Sequence, residues 1–228
     1  MPERDSHGHR LSRLRGLYGI VGDDGPLAPL DWARALSLGG AGVLQLRLKR
    51  LSPREALAVA RAIREALPRA LLLIDDRPDL ALLCGADGVH VGELDLSPAD
   101  CRAVLGPALL IGATARSASA GRLALAAGAD HLGVGPVFPS RTKPLDAPPL
   151  GLEGLARICR ELAPTPIVAI SGIDAGNIEA VARAGARAAA VIGAVGASQE
   201  PEGAARALAA AFERGGSPPA PALGEGGG

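Results

Sequence analysis

The richest chemistry in the chain lies in one short run, LQLRLK, from Leu44 to Lys49. Leucines alternate with Gln45, Arg47 and Lys49. A period of two therefore sends the leucines to one face and the amide, guanidinium and ammonium groups to the other. An edge strand with one wet face gives the same alternation. Lysine occurs only at Lys49 and Lys143, every other basic residue being arginine or histidine. Chance can produce that count. The chemical reading is that both places need a compact point charge on a flexible stem, not a planar fork.

Carboxylates supply the counterpart. Asp75 ends a third aliphatic run and Asp95 follows a fourth. Neighbouring strands lie about 5 Å apart, so the two can converge on one cation and leave it open positions for water and phosphate oxygens, as Mg²⁺ prefers. Singly, each reads as a cap or a solvated loop residue. Asp76, ahead of Pro78, reads as a helix N-cap. In ISGID and VIGAV, Gly172, Gly193 and Gly196 would let backbone N–H groups approach a phosphate, or would simply permit tight turns. The segment GPVFPSRTKPLDAPPLG is longer than the other connections, carries Lys143 and suits a lid or binding loop. His90 and His131 have no partner in a nucleophile–base pattern and read as core or strand-end histidines. The motifs of serine hydrolases, HExxH metalloproteases, P-loops and dinucleotide folds do not occur.

These residues need a scaffold that brings strand ends together. Short Val- and Ile-rich runs begin near Gly16, Gly42, Ala70, Gly88, Leu109, His131, Pro166 and Ala188, with helical periodicity between and after them. In SPREALAVARAIREAL, Ser52 caps and Pro53 fills the first turn. GGAGVLQLR, CGADGVHVG, AGADHLGVG and AGARAAAVIG repeat one event: a helix stops at glycine, turns and enters a strand. The pattern predicts an α/β fold, a single (β/α)₈ TIM barrel over residues 16–213, with an open doubly wound sheet as the alternative. In a barrel, ligands bind where the strands end, which is where the polar residues fall. Residues 1–15 and the Gly/Pro-rich 214–228 read as disordered tails.

Composition narrows the function classes. Net charge is zero and aromatics are 2% of the 228 residues, so neither nucleic acid nor a membrane surface is an expected partner. Cys84, Cys101 and Cys159 lie in apolar helical patterns without metal-ligand spacing and read as core residues in a reducing, cytoplasmic setting. The formation of a homo-oligomer stays open.

Piece by piece, residues 16 to 213 resemble the thiamine phosphate synthase family. QLRLK matches that family's Gln-x-Arg-Glu-Lys, and IDD at Ile74–Asp76 its Asn-Asp-Asp. GADGVHVGELD, GPVFPSRTK, PIVAISGI and VIGAV follow in order. The resemblance implies a transferase acting on small-molecule substrates: hydroxymethylpyrimidine diphosphate loses pyrophosphate, and a thiazole phosphate captures the pyrimidine-methyl cation through its ring nitrogen. It implies that Arg47, Lys49 and Lys143 are catalytic, that Gln45, Leu48, Ile74 and Thr114 lie with them around the pyrimidine diphosphate, and that Asp75 and Asp95 hold one Mg²⁺. Ser140, Arg141, Thr142, Gly172, Ile192 and Gly193 would hold the thiazole phosphate. Leu48 stands for the family's Glu, Ile74 for its Asn, Thr114 for Ser and Arg116 for a frequent His. A thiazole tautomerase-like paralogue and a non-catalytic phosphate-binding barrel are the alternative readings.

Overall fold

Parallel pairing runs without a break around the molecule. β1 (Gly16–Gly22), β2 (Val43–Arg47), β3 (Leu71–Asp75), β4 (Gly88–Val91), β5 (Leu110–Ala115), β6 (His131–Val134), β7 (Ile167–Ala169) and β8 (Ala188–Val191) each pair with the next, and β8 closes on β1. The structure is a computed structural model and describes residues 6–25, 27–139 and 148–216. Each strand begins within one residue of the place expected from the aliphatic runs. The helices that cover the barrel are α2 (Pro29–Leu38), α3 (Pro53–Ala66), α4 (Pro78–Cys84), α5 (Pro98–Leu105), α6 (Ala118–Ala126), α7 (Gly151–Glu161), α8 (Ile178–Arg183) and α10 (Pro201–Gly216), and the short α9 (Gly193–Gly196) precedes the last of them. None is long and apolar enough to cross a membrane. The predicted cap is present: Ser52 Oγ accepts from the Glu55 N–H at 3.4 Å, and Glu55 Oε2 accepts from the Ser52 N–H at 2.9 Å.

Strand alternation divides the core in two. Leu44, Leu46, Leu72, Ile74, Val89 and Val91 face outward and pack with the helices. Tyr18, Val43, Leu71, Leu73, Leu110, Val168 and Ala188 fill the barrel itself. Two imidazoles also lie inside: His90 and His131 have ring centroids 5.6 Å apart, and they fit because β5 has glycine at 112. A Cβ there would come within 2.2 Å of His131 Nε2 and 2.4 Å of His90 Nδ1. Burial drives both histidines toward the neutral form, lowering His90 to about 4 and His131 well below the usual range. Both are core histidines, as expected, but not satisfied ones: His90 Nδ1 and both ring nitrogens of His131 are buried without a hydrogen-bond partner among the described residues.

The N-terminal segment departs from the expected tail. His7–Arg13 form α1, with Ser6 accepting from the His9 N–H at its start. Leu14 follows, fully buried in the barrel-interior cluster. Its hydrophobic side chain is what the sequence reading overlooked; closing the barrel bottom removes it from water. Around it the acids of the Gly-Ala-Asp repeats join strand to strand. Asp87 accepts from the Leu72 N–H and pairs with Arg10 and Arg64 at 3.1 and 2.9 Å. Asp130 accepts from the Ile111 N–H at 2.7 Å and pairs with Arg102 at 2.8 Å. Residues 217–228 of the expected C-terminal tail lie outside the described residues, and 214–216 belong to α10.

Candidate functional site

At the opposite end, where the strands finish, the interior changes from aliphatic to polar. On β2 the alternation read from LQLRLK is what the pleat does. Gln45 points into the barrel and is 5% exposed, while Leu44 and Leu46 pack outward and Leu48 packs against the outer core. Arg47 and Lys49 reach the mouth, with side chains 37% and 42% exposed.

Asp75, the last residue of β3, receives all three. Gln45 Nε2 donates to its Oδ1 at 2.5 Å, Lys49 Nζ lies 3.1 Å from its Oδ2, and Arg47 Nε lies 3.6 Å from the same oxygen. Below Gln45, the buried Tyr18 hydroxyl donates to Gln45 Oε1 at 2.6 Å. Burial first, and the Asp75 charge second, raise the tyrosine well above its ordinary range.

Two readings of β3 need correction. Ile74 was expected at a ligand; it is 3% exposed and packed in the outer core. Its partner in the sheet is Leu46, and partners in register face the same side. The inward strand-end position belongs to Asp75. Asp76 was expected to cap α4, but the residue at the cap is Arg77 and no side-chain cap bond forms. Asp76 takes a left-handed backbone, φ 60°, uncommon for a non-glycine residue, with its N–H donating to His90 O at 2.9 Å. That turn directs its carboxylate to Lys49 and to Asp95.

Asp95 is held by the Gly92 N–H, 2.9 Å from its Oδ2. Burial, and then Asp76 beside it, push its carboxyl above the usual range. Lys49 shows the reverse balance: burial pulls its ammonium down, but Asp76 and Asp75 outweigh this and raise it. The expected metal pair of Asp75 and Asp95 also needs correction: Asp75 is turned inward onto Gln45, and it is Asp76 that stands beside Asp95, an oxygen-only pair suited to a hard divalent cation. Among the described residues no group of three or more His, Cys, Asp or Glu gathers as a metal site, so water and ligand oxygens would complete the coordination.

The remaining candidates occupy the same end of the barrel. Thr114 on β5 is 3.2 Å from His90 Nε2, and Arg116 is exposed just beyond it. Gly172 has φ 69°, and a Cβ there would come within 2.5 Å of Pro139 O, so glycine lets the turn after β7 sit against the one after β6. Ile192 is half-buried and Gly193 exposed where β8 passes into α9. Ser140, Arg141, Thr142 and Lys143 lie outside the described residues.

Sequence reasoning missed Tyr18 and Asp23. Asp23 Oδ2 accepts from the Arg50 and Leu51 N–H groups at 2.6 and 3.0 Å, tying down the chain just past Lys49. Burial raises its carboxyl, but these backbone bonds outweigh that and lower it. Its signal was available, since it follows β1 directly.

Known proteins resemble this chain in sequence and fold. The family described as thiamine monophosphate synthase matches residues 17–195. A thiamine-phosphate synthase of Anaeromyxobacter dehalogenans (strain 2CP-C) is 51% identical over 207 residues, covering 90% of this chain and 91% of the relative. One of Myxococcus xanthus (strain DK1622) is 47% identical over 206 residues, covering 88% and 94%. Among solved structures, a thiamine phosphate pyrophosphorylase from Pyrococcus furiosus superposes with a TM-score of 0.82 at 32% identity, covering 90% of this chain and 98% of that one.

Proposed function

The chain belongs to the thiamine monophosphate synthase family, transferases of thiamine biosynthesis, and we propose that its barrel mouth joins hydroxymethylpyrimidine diphosphate to a thiazole phosphate with the diphosphate bound over Arg47, Lys49 and a divalent cation. In this reaction the bond from the pyrimidine methylene carbon to the diphosphate oxygen breaks, its electron pair leaves with pyrophosphate, and the thiazole ring nitrogen donates the pair that forms the new C–N bond.

One observation carries the proposal: Lys49 lies against Asp75 and Asp76, with Arg47 beside it and Asp95 next to Asp76. A leaving diphosphate needs positive charge held in place before the bond breaks. Arg47 would bind diphosphate oxygens through its planar fork and Lys49 as a point charge. Asp76 and Asp95 would hold Mg²⁺, which when bound neutralises diphosphate charge; burial first, and Asp76 beside it second, raise the Asp95 carboxyl, and a bound cation would favour its charged form. Gln45 and Asp75 would line the pyrimidine side. The turn at Gly172 and the β8–α9 turn at Ile192 and Gly193 would take the thiazole phosphate, as is usual after the last two strands of such barrels. Lys143, with Ser140, Arg141 and Thr142, would close over the substrates by family resemblance.

The deciding experiment is formation of thiamine phosphate from the two substrates, followed with and without Mg²⁺. Product that requires both substrates and the metal supports the reading. Thiazole phosphate binding without product, at any metal concentration, would overturn it.

A further inference from the structure

Below the charged mouth, adjacent strands carry a hydrogen-bonded chain that the bond-breaking chemistry does not use. The Tyr18 hydroxyl of β1 donates to Gln45 Oε1 of β2 at 2.6 Å, and Gln45 Nε2 donates to Asp75 Oδ1 of β3 at 2.5 Å. Tyr18 is 1% exposed and Gln45 5%. The chain has a direction. Turning the amide over would set its carbonyl against the Asp75 carboxylate and an NH₂ group against the phenol proton. Tyr18 stays protonated, because burial opposes the phenolate, so the donor that fixes this direction is always present.

We propose that Tyr18 is a positioning residue that acts through Gln45, fixing which amide atom faces Asp75 and thereby the pattern of donor and acceptor shown to the substrate ring. In the fixed orientation Gln45 retains one N–H and Asp75 retains carboxylate lone pairs. That pattern complements a ring nitrogen beside an exocyclic amine, and opposes a ring carrying oxygen at the amine's place, which would meet the carboxylate. Tyr18 thus helps select an aminated heterocycle without touching it. The inference rests on the reading of the β2 and β3 ends as the pyrimidine diphosphate site.

The test is steady-state kinetics with each substrate varied in turn, on the parent, Tyr18→Phe, Gln45→Ala and the double variant, with each thermal midpoint measured. Phe keeps the ring and removes only the donor. We expect Tyr18→Phe to lower kcat/KM for the pyrimidine diphosphate about tenfold, to leave KM for the thiazole phosphate unchanged, to lower the thermal midpoint by a few degrees because Gln45 Oε1 loses its buried donor, and to have no further effect on kcat/KM in the Gln45→Ala background. Three results overturn the proposal: parental kinetics for Tyr18→Phe, equal losses toward both substrates, or losses that multiply in the double variant. If instead Gln45→Ala itself keeps the parental kcat/KM for the pyrimidine diphosphate, the site assignment falls and the proposal with it.

Discussion

Asp76 and Asp95 stand side by side at the barrel mouth, although one opens the turn after β3 and the other lies in the loop after β4. Like charges at that range oppose each other unless a cation intervenes. The left-handed backbone at Asp76, which brings its carboxylate there, is itself uncommon. A costly arrangement of this kind is expected where function maintains it.

Asp95→Asn should therefore separate stability from activity. It removes one of two opposed charges and keeps an oxygen for the Gly92 N–H. We expect a thermal midpoint at or above the parent's with turnover reduced at least about a hundredfold. Excess chelator should silence the parent to a similar extent, reversibly on adding Mg²⁺. Parental turnover in Asp95→Asn would exclude the pair as metal ligands.

Lys49→Arg should impair turnover although the charge is kept. The ammonium sits between Asp75 and Asp76, and a planar guanidinium cannot occupy that place with the same contacts. We expect kcat to fall roughly ten- to hundredfold, about 1.4–2.7 kcal/mol of barrier. The exposed Arg54→Lys serves as a control and should change little.

Ile74→Asn would at first sight restore a family amide at the ligand. With Ile74 buried in the outer core, it should instead bury an unpaired amide and lose apolar packing. We expect about 3 kcal/mol of destabilisation, read as a thermal midpoint lower by roughly 6–12 °C, and no gain in kcat/KM for the pyrimidine diphosphate. A gain without destabilisation would show that the β3 register described above is wrong.

Acid should weaken the fold through His90 and His131. Above about pH 6.5 neither histidine carries charge in the folded or unfolded chain. As pH falls below that value the unfolded chain takes up protons that the buried imidazoles refuse. Stability is thus present above the unfolded pKa of 6.5 and falls until His90 titrates in the native state at about 4. That window corresponds to about 3 kcal/mol for His90, with a further loss from His131. Urea midpoints across pH 4–8 measure the slope. His131→Phe should flatten it, since both ring nitrogens of His131 are buried without partners.

The alternation in LQLRLK predicted the faces of β2 because the pleat makes parity a physical constraint. The same parity, carried across to β3, would have turned Ile74 outward with Leu46 and Asp75 inward with Gln45. Matching IDD to the family's Asn-Asp-Asp overrides that rule. Asp76 was illegible for another reason. Its role depends on a positive φ, and an aspartate before proline looks the same whether it caps a helix or turns away. Leu14 and the Gly-Ala-Asp acids were visible as letters, but their partners, Arg10 with Asp87 and Arg102 with Asp130, are 77 and 28 positions apart. Only barrel closure brings such pairs together.

The Asp87 and Asp130 stitches work like hoops on a cask. They bind the staves at one end with charged pairs and backbone bonds, over the bung that Leu14 makes, while the chemistry occupies the open end. Loops at the open end could therefore be exchanged for those of another barrel without loosening the hoops. This chain is suited to serve as a grafting host, and the segment before β1 should travel with it.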